Sequence, residues 1–162
     1  MHYSIRALGI DLVVFDHIRF PWFNHIIPRD HRKIVVIDGK VGYTGGMNVA
    51  DYYIEGIPGI GPWHDMHMRV EGPAVNELHA IFARMWQKST GEILDGEKYF
   101  PKTHTPTIKT GPLSPIAVID RSTGKASDAI RDMFVTMLNS AQKKVLLISP
   151  YFVHTHSVRK AL

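Results

Sequence analysis

The local structure of this chain is clearest in residues 31–44, His31-Arg32-Lys33-Ile34-Val35-Val36-Ile37-Asp38-Gly39-Lys40-Val41-Gly42-Tyr43-Thr44. Residues 31–37 are rich in β-branched side chains and predict a strand. Asp38-Gly39 is a strong signal for a two-residue hairpin turn, so residues 40–44 are predicted to return as the antiparallel partner. Because side chains alternate along a strand, His31 and Lys33 share one face. Ile34 and Val36 share the other, so the sequence predicts a polar pair on an apolar hairpin.

A glycine-rich segment, Gly45-Gly46-Met47-Asn48, follows the second predicted strand directly. Glycines permit close backbone approach, and the Asn48 amide can donate to a phosphate oxygen. A neutral imidazole such as that of His31 can attack phosphorus, and the Lys33 ammonium can hold the non-bridging oxygens. The spacing of these residues is chemically coherent for a phosphate site. Taken alone, a His-x-Lys pair on an exposed strand is more often a solvated edge.

Further elements flank the hairpin. A β-branched run predicts a buried strand over residues 10–15, and residues 49–53 predict a short helix. Alternation over residues 63–71 predicts another strand, which Gly72-Pro73 ends while opening a helix that runs to about Lys88. An apolar face of this helix is predicted to be core and comprises Val75, Leu78, Ile81, Phe82, Met85 and Trp86.

The second half of the chain repeats a strand–helix–strand pattern. Residues 116–119 and 145–149 are predicted strands, and residues 126–141 are a predicted amphipathic helix between them. Another helix is predicted to start near Ser157. Alternation of strands and helices predicts an α/β fold, with a mixed sheet flanked by helices.

We expect three regions along the chain. Residues 1–90 form the motif-bearing part of a first lobe, and residues 91–114, which are rich in Gly, Pro, Thr and Lys, form a linker. Residues 115–162 begin a second, similar lobe that is truncated. We therefore expect this chain to be a fragment of a larger protein.

The composition of the chain excludes some classes of function but does not identify one. The 162 residues include 44% hydrophobic and 21% charged residues, which suits a soluble chain with a core. The net charge of +4 favours anionic partners such as phosphate groups. The absence of cysteine excludes disulfides and all thiolate chemistry. No run approaches the roughly 18 to 20 apolar residues that a membrane span requires.

Residues 31–48 follow the pattern H-x-K-x4-D-x6-G-G-x-N, with His31, Lys33, Asp38, Gly45, Gly46 and Asn48 at its defining positions. This pattern resembles the HKD signature of the phospholipase D superfamily and matches it at every position. The resemblance implies a phospholipase D-like lobe, and a two-step phosphodiester reaction through a phosphohistidine. It implies no cofactor and no metal.

The resemblance also implies a role for each matching residue. The catalytic set is His31, Lys33 and Asp38, with His31 as nucleophile or acid/base. Lys33 and Asn48 bind the substrate phosphate, while Asp38 is expected to fix the hairpin rather than touch substrate. Asp65, in Trp63-His64-Asp65-Met66-His67, matches the family carboxylate that orients the motif histidine.

Within the superfamily the chain most closely resembles bacterial cardiolipin synthases. The resemblance rests on residues 45–53, residues 63–75 and Ile148-Ser149-Pro150-Tyr151-Phe152-Val153, although His154 stands where the family commonly has proline. It implies a phosphatidyltransferase that joins two phosphatidylglycerol molecules. The expected partners are anionic phospholipid and, through the parent protein, the bacterial cell membrane; nucleic acid is an unlikely partner.

These enzymes build one active site from two HKD motifs, and no second H-x-K-x4-D occurs in the 162 residues. The second half-site then comes from another lobe in cis or from a second copy in trans. Two alternatives stay open: a homodimeric phosphodiesterase or nuclease of the same superfamily, and a catalytically silent lobe.

Other features favour ordinary structural roles. His64 and His67 have a short separation seen at metal sites, but on a strand they point to opposite faces. The aromatic pairs Trp22-Phe23 and Tyr52-Tyr53 could contact substrate or a membrane surface, but such pairs beside Pro or Gly loops more often close a core.

Overall fold

The structure is a computed structural model that describes residues 2–15, 30–102, 114–120, 128–149, 152 and 154–162. The predicted α/β class is confirmed, and the sheet has three strands. The elements in chain order are α1 (His2–Arg6), β1 (Ile34–Ile37), β2 (Val41–Gly45), α2 (Tyr52–Glu55), β3 (His67–Glu71), α3 (Ala74–Thr90), α4 (Ala129–Ser140) and α5 (His156–Ala161).

The sheet has the order β1-β2-β3, and both strand pairs are antiparallel. In the first pair Ile34 lies opposite Thr44 and Ile37 lies opposite Val41, which confirms the predicted hairpin. In the second pair Gly45 lies opposite His67. The prediction of a mixed sheet needs correction here, because every strand pair among the described residues is antiparallel.

The hairpin turn has the backbone that its sequence requires. Asp38 has φ 53° and Gly39 has φ 63°, and the Lys40 N–H donates to the Ile37 carbonyl at 2.9 Å. Positive φ at both central residues is the requirement of a type I′ turn, whose twist matches that of the flanking strands. Aspartate and glycine tolerate this conformation better than other residues, so these two residues fix the register of β1 against β2.

The core lies between one face of the sheet and α3. Its buried members are Val70, Val75 and Leu78, and the partly buried side chains packed on them are Ile34, Val36, Ala74 and Val118. Ile34 and Val36 face this core as the alternation predicted. The predicted apolar face of α3 holds for its buried residues, but Phe82 is 42% exposed.

Three predicted strands are wrong. Residues 10–15, 116–119 and 145–149 form no strand in the structure, and Ile10 and Leu146 are exposed. Their β-branched and apolar composition favours an extended chain, but a strand exists only when a neighbouring strand supplies its ladder hydrogen bonds.

Helix positions are predicted more closely than these strands. The predicted helix 126–141 is observed as α4 and the predicted start near Ser157 as α5, where the Thr155 hydroxyl accepts from the Val158 N–H at 3.4 Å. The short helix predicted to open within residues 49–53 is observed as α2, which begins at Tyr52.

The chain divides into two compact units, Met1–Val118 and Ile119–Leu162. Part of the predicted linker belongs to the first unit. There the Phe100 ring stacks on His79 with centroids 4.8 Å apart, and Tyr99 meets the same imidazole edge-on at 5.9 Å. The three predicted regions themselves stay a prediction. Trp22 and Phe23 lie outside the described residues.

Candidate active site

The sheet brings three separate segments together at one end of the hairpin. Because Ile34 pairs with Thr44, the residues before β1 lie beside the residues after β2. Because Gly45 pairs with His67, the residues before β3 lie there too. We call this region the open end of the hairpin, formed by residues 31–33, 45–48 and 65–66. It contains every predicted site residue except Asp38.

His31 and Lys33 contact each other directly. The Lys33 Nζ lies 3.0 Å from His31 Nε2, and it also donates to the His31 backbone carbonyl at 2.8 Å. A lysine ammonium can only donate, so His31 Nε2 is the acceptor in this contact. The arrangement therefore places a basic nitrogen lone pair beside a positive charge, with the imidazole exposed.

The two glycines lie against the start of β3. The Gly46 N–H donates to the Met66 carbonyl at 2.9 Å, and a Cβ on Gly46 would collide with the Asp65 carboxylate. A Cβ on Gly45 would lie 2.6 Å from the His67 Cα, closer than real side chains approach. In the structure the two glycines therefore approach the segment at the start of β3, and their expected role at a phosphate site stays a prediction.

Asn48 is held by two tyrosines. Its Nδ2 donates to the Tyr53 hydroxyl at 3.3 Å and to the Tyr52 hydroxyl at 3.5 Å. The hydrogen bond from Asn48 is the main cause that lowers the pKa of Tyr52 below its ordinary value, and the Lys33 ammonium acts in the same direction. The charge of Lys33 therefore contributes to the lowered pKa of Tyr52.

Asp65 contacts Tyr53 and its own neighbour. Its Oδ1 accepts from the Met66 N–H at 2.7 Å, and its Oδ2 accepts from the Tyr53 hydroxyl at 3.4 Å. Among the described residues its carboxylate makes no hydrogen bond to His31, so the expected histidine-orienting role stays a prediction. Asp38 lies at the opposite end of β1, five residues after Lys33, which is about 16 Å along the chain at the usual rise per residue of a strand.

The chain is similar in sequence to several cardiolipin synthases. The chain is 40% identical over 160 residues to the probable cardiolipin synthase YwiE of Bacillus subtilis, covering 98% of this chain and 31% of that protein. It is 35% identical over 160 residues to a cardiolipin synthase of Halalkalibacterium halodurans, with the same coverage. It is 37% identical over 162 residues to cardiolipin synthase 1 of Staphylococcus aureus, covering 97% of this chain and 31% of that protein.

Over nearly its whole length the chain is therefore similar to curated cardiolipin synthases. It spans about a third of the length of the curated relatives it matches. No family model and no solved structure matches it.

The sequence left two roles open for Tyr52 and Tyr53, contact with substrate or a membrane surface and closure of a core, and favoured the second. In the structure both hydroxyls accept hydrogen bonds from Asn48 Nδ2, contacts that the sequence did not predict. The Tyr52 ring also meets Trp63 edge-on, with centroids 5.6 Å apart. Their positions four and five residues after Asn48 could have predicted these contacts. At the start of a helix, residues separated by about one turn have neighbouring side chains.

The described residues contain neither a cluster suited to a metal ion nor a membrane-spanning helix. No group of three or more His, Asp or Glu side chains there is placed to hold a metal ion. No helix in that part of the chain combines the length and apolar character needed to cross a membrane. The metal-free chemistry implied by the motif stays a prediction.

Proposed function

We propose that this chain supplies one of two HKD half-sites of a phosphatidyltransferase that makes cardiolipin from two phosphatidylglycerol molecules. The observation that carries the proposal is the 3.0 Å contact between His31 Nε2 and Lys33 Nζ, in a chain related to cardiolipin synthases. The open end of the hairpin also holds Asn48, an amide donor suited to phosphate oxygen.

In the proposed first step a motif histidine attacks phosphorus through its Nε2 lone pair. A nitrogen–phosphorus bond forms and the bond from phosphorus to the glycerol leaving group breaks, with glycerol taking a proton from the other motif's histidine. Lys33 and Asn48 hold the non-bridging oxygens, where negative charge is concentrated. His31 serves as the nucleophile or as the acid/base, and Asp65 is proposed to orient it.

In the second step the order is reversed. The free glycerol hydroxyl of a second phosphatidylglycerol loses its proton to the acid/base histidine and attacks phosphorus. The nitrogen–phosphorus bond breaks, which releases cardiolipin and the free histidine. The substrates place the full-length protein at a bacterial membrane surface, with anionic phospholipid and not nucleic acid as its partner.

The second half-site comes from another lobe of the same protein or from a second copy of this chain. The 162 residues contain one HKD motif, so a single copy of the chain is expected to be inactive. This same observation favours a second candidate, a homodimeric phosphodiesterase whose two copies of His31 complete one site.

One experiment separates these candidates. The solution mass of this chain is measured by light scattering, and the full-length protein is assayed on phosphatidylglycerol vesicles for cardiolipin and glycerol in equal amounts. A monomeric, inactive chain with an active full-length protein supports the transferase. A stable dimer of the chain that hydrolyses a simple diester in plain buffer overturns it in favour of the phosphodiesterase.

A further inference from the structure

The Tyr53 hydroxyl lies among three polar groups at the open end of the hairpin. It is 3.3 Å from Asn48 Nδ2, 3.4 Å from Asp65 Oδ2 and 3.5 Å from the Gly46 carbonyl oxygen. These distances are at the long end of the range for hydrogen bonds. Tyr53 is thus the side chain that links the proposed phosphate-binding amide to the carboxylate before β3.

The chemistry of these groups fixes the direction of the hydrogen bonds. A carboxylate and a carbonyl only accept, so toward Asp65 and Gly46 the Tyr53 hydroxyl can act only as a donor. The Tyr53 oxygen then offers only lone pairs to Asn48, which must turn its Nδ2 toward it. The neighbouring Tyr52 hydroxyl and the Asp65 carboxylate raise the pKa of Tyr53, which keeps this phenol in the protonated, donating form.

The orientation of Asn48 matters because its amide has two different ends. With Nδ2 held by Tyr53, the second N–H of the amide points to the Tyr52 hydroxyl at 3.5 Å. That bond is weak enough for a phosphate oxygen, a stronger acceptor because it is charged, to replace it. In the flipped orientation the amide oxygen would face the phosphate and repel it.

We infer that Tyr53 is a positioning residue. Because its hydroxyl donates to Asp65 or Gly46, its oxygen accepts a hydrogen bond from Asn48, and the Asn48 amide then presents its other N–H to the substrate phosphate. This inference rests on the proposed function, because it assumes that Asn48 binds the phosphodiester. Tyr53 itself does not touch the reacting atoms.

The decisive variant is Tyr53→Phe in the full-length protein, assayed on phosphatidylglycerol vesicles. The phenylalanine ring keeps the packing on Tyr52, whose centroid is 4.5 Å away, and loses only the hydroxyl. We expect kcat/KM to fall about 10- to 100-fold, as when a group that orients a site residue is removed. The matched control is Tyr99→Phe, which removes a tyrosine hydroxyl beside His79 and is expected to leave kcat/KM unchanged.

A double-mutant cycle separates positioning from a general structural effect. In an Asn48→Ala background, Tyr53→Phe should cause no further loss, because the group it positions is absent. Asp65→Asn should cost less in the Tyr53→Phe background than in the wild-type protein, because the role of the carboxylate that runs through Tyr53 is already lost there and only its proposed role toward His31 remains. An equal cost in both backgrounds overturns the Asp65 link.

A spectroscopic readout is independent of turnover. The two side-chain N–H resonances of Asn48 are recorded by NMR in this chain without substrate, and Tyr53→Phe should shift them while Tyr99→Phe should not. Unchanged resonances together with wild-type kcat/KM for Tyr53→Phe overturn the inference and leave the proposed function standing. The opposite outcome is also distinguishable. If Tyr53→Phe shifts the Asn48 resonances while His31→Ala leaves the protein fully active, the positioning of Asn48 is supported and the proposed reaction is overturned.

Discussion

At its turn end the β1–β2 hairpin packs against residues 99–101, whereas its open end carries polar side chains that are mostly exposed. Gly39, in the turn, is buried, and a Cβ on it would lie 2.6 Å from both Pro101 Cδ and the Tyr99 carbonyl oxygen. At the open end His31, Asn48 and Asp65 are exposed, and their contacts are hydrogen bonds of 2.7 to 3.5 Å.

The two ends of the hairpin therefore have different roles, stability at the turn end and chemistry at the open end. Packing at the turn end and against α3 holds the strands in register, and the register decides which residues meet at the open end. The open-end side chains contribute little burial, so changing them should alter function much more than stability. Substitutions at the turn end should do the opposite.

The largest expected effect is at the open end. His31→Ala in the full-length protein should lower the rate of cardiolipin formation by roughly 10⁴-fold, as for the loss of a catalytic histidine. The midpoint of urea unfolding should stay near the wild-type value, because the His31 side chain is exposed.

The matched control for this variant is His156→Ala, which removes an exposed histidine at the start of α5. It should leave both the rate and the unfolding midpoint unchanged. A His31→Ala protein that keeps its rate would remove His31 from the mechanism. A protein that loses rate and stability together would contradict the separation of the two ends.

The second expected effect is at the turn end. Gly39→Ala introduces a side chain at φ 63° and a collision with Pro101 and the Tyr99 backbone. Left-handed backbone strain and overpacking together predict a loss of about 3 kcal/mol in the free energy of unfolding. Urea unfolding measures it, and the activity per folded molecule should be retained.

Gly59→Ala is the matched control for this effect. Gly59 has φ 80° and nothing within 4 Å of a built Cβ, so alanine there meets backbone strain without collision. We expect a loss of about 1 kcal/mol. Equal losses at Gly39 and Gly59 would mean that the segment 99–101 does not pack on the turn.

How well the sequence predicts a feature of this structure depends on whether nearby or distant residues determine that feature. Asp38-Gly39 is a local signal for a turn, and the alternation beside it is a local signal for strand faces, so the hairpin and its core-facing residues Ile34 and Val36 are predicted. The contact between His31 and Lys33 follows from their separation of two residues. Such features depend on neighbours in the chain.

Features that depend on distant residues are predicted poorly. Residues 145–149 have a strand-like composition but no ladder, because a partner strand cannot be read from local composition. The hydrogen bond from Tyr53 to Asp65 joins residues twelve apart and depends on how the loop before β3 returns to the sheet. The motif therefore names the site residues, and the fold decides which of them touch.

The smallest expected effect sharpens the account of the open end and needs no substrate. Tyr52 should ionise below the ordinary tyrosine pKa of 10.0 and Tyr53 above it, because Asn48 donates to the first and the neighbouring Tyr52 hydroxyl favours the neutral form of the second. The two shifts act oppositely on stability. Ionised Tyr52 favours the fold as pH rises through its pKa, whereas the contribution from protonated Tyr53 is lost as pH rises.

Unfolding curves are consequently a poor measure of this pair, and NMR of ¹³Cζ-labelled tyrosine resolves each titration separately. Asn48→Ala removes the main cause that lowers the pKa of Tyr52, so this pKa should rise. Asn139→Ala, at an exposed position of α4, should leave it unchanged. If Tyr53 ionises first, or if Tyr52 titrates identically in both variants, Asn48 does not donate to the tyrosine pair in solution. The open end would then be a set of independent side chains rather than one connected hydrogen-bond network.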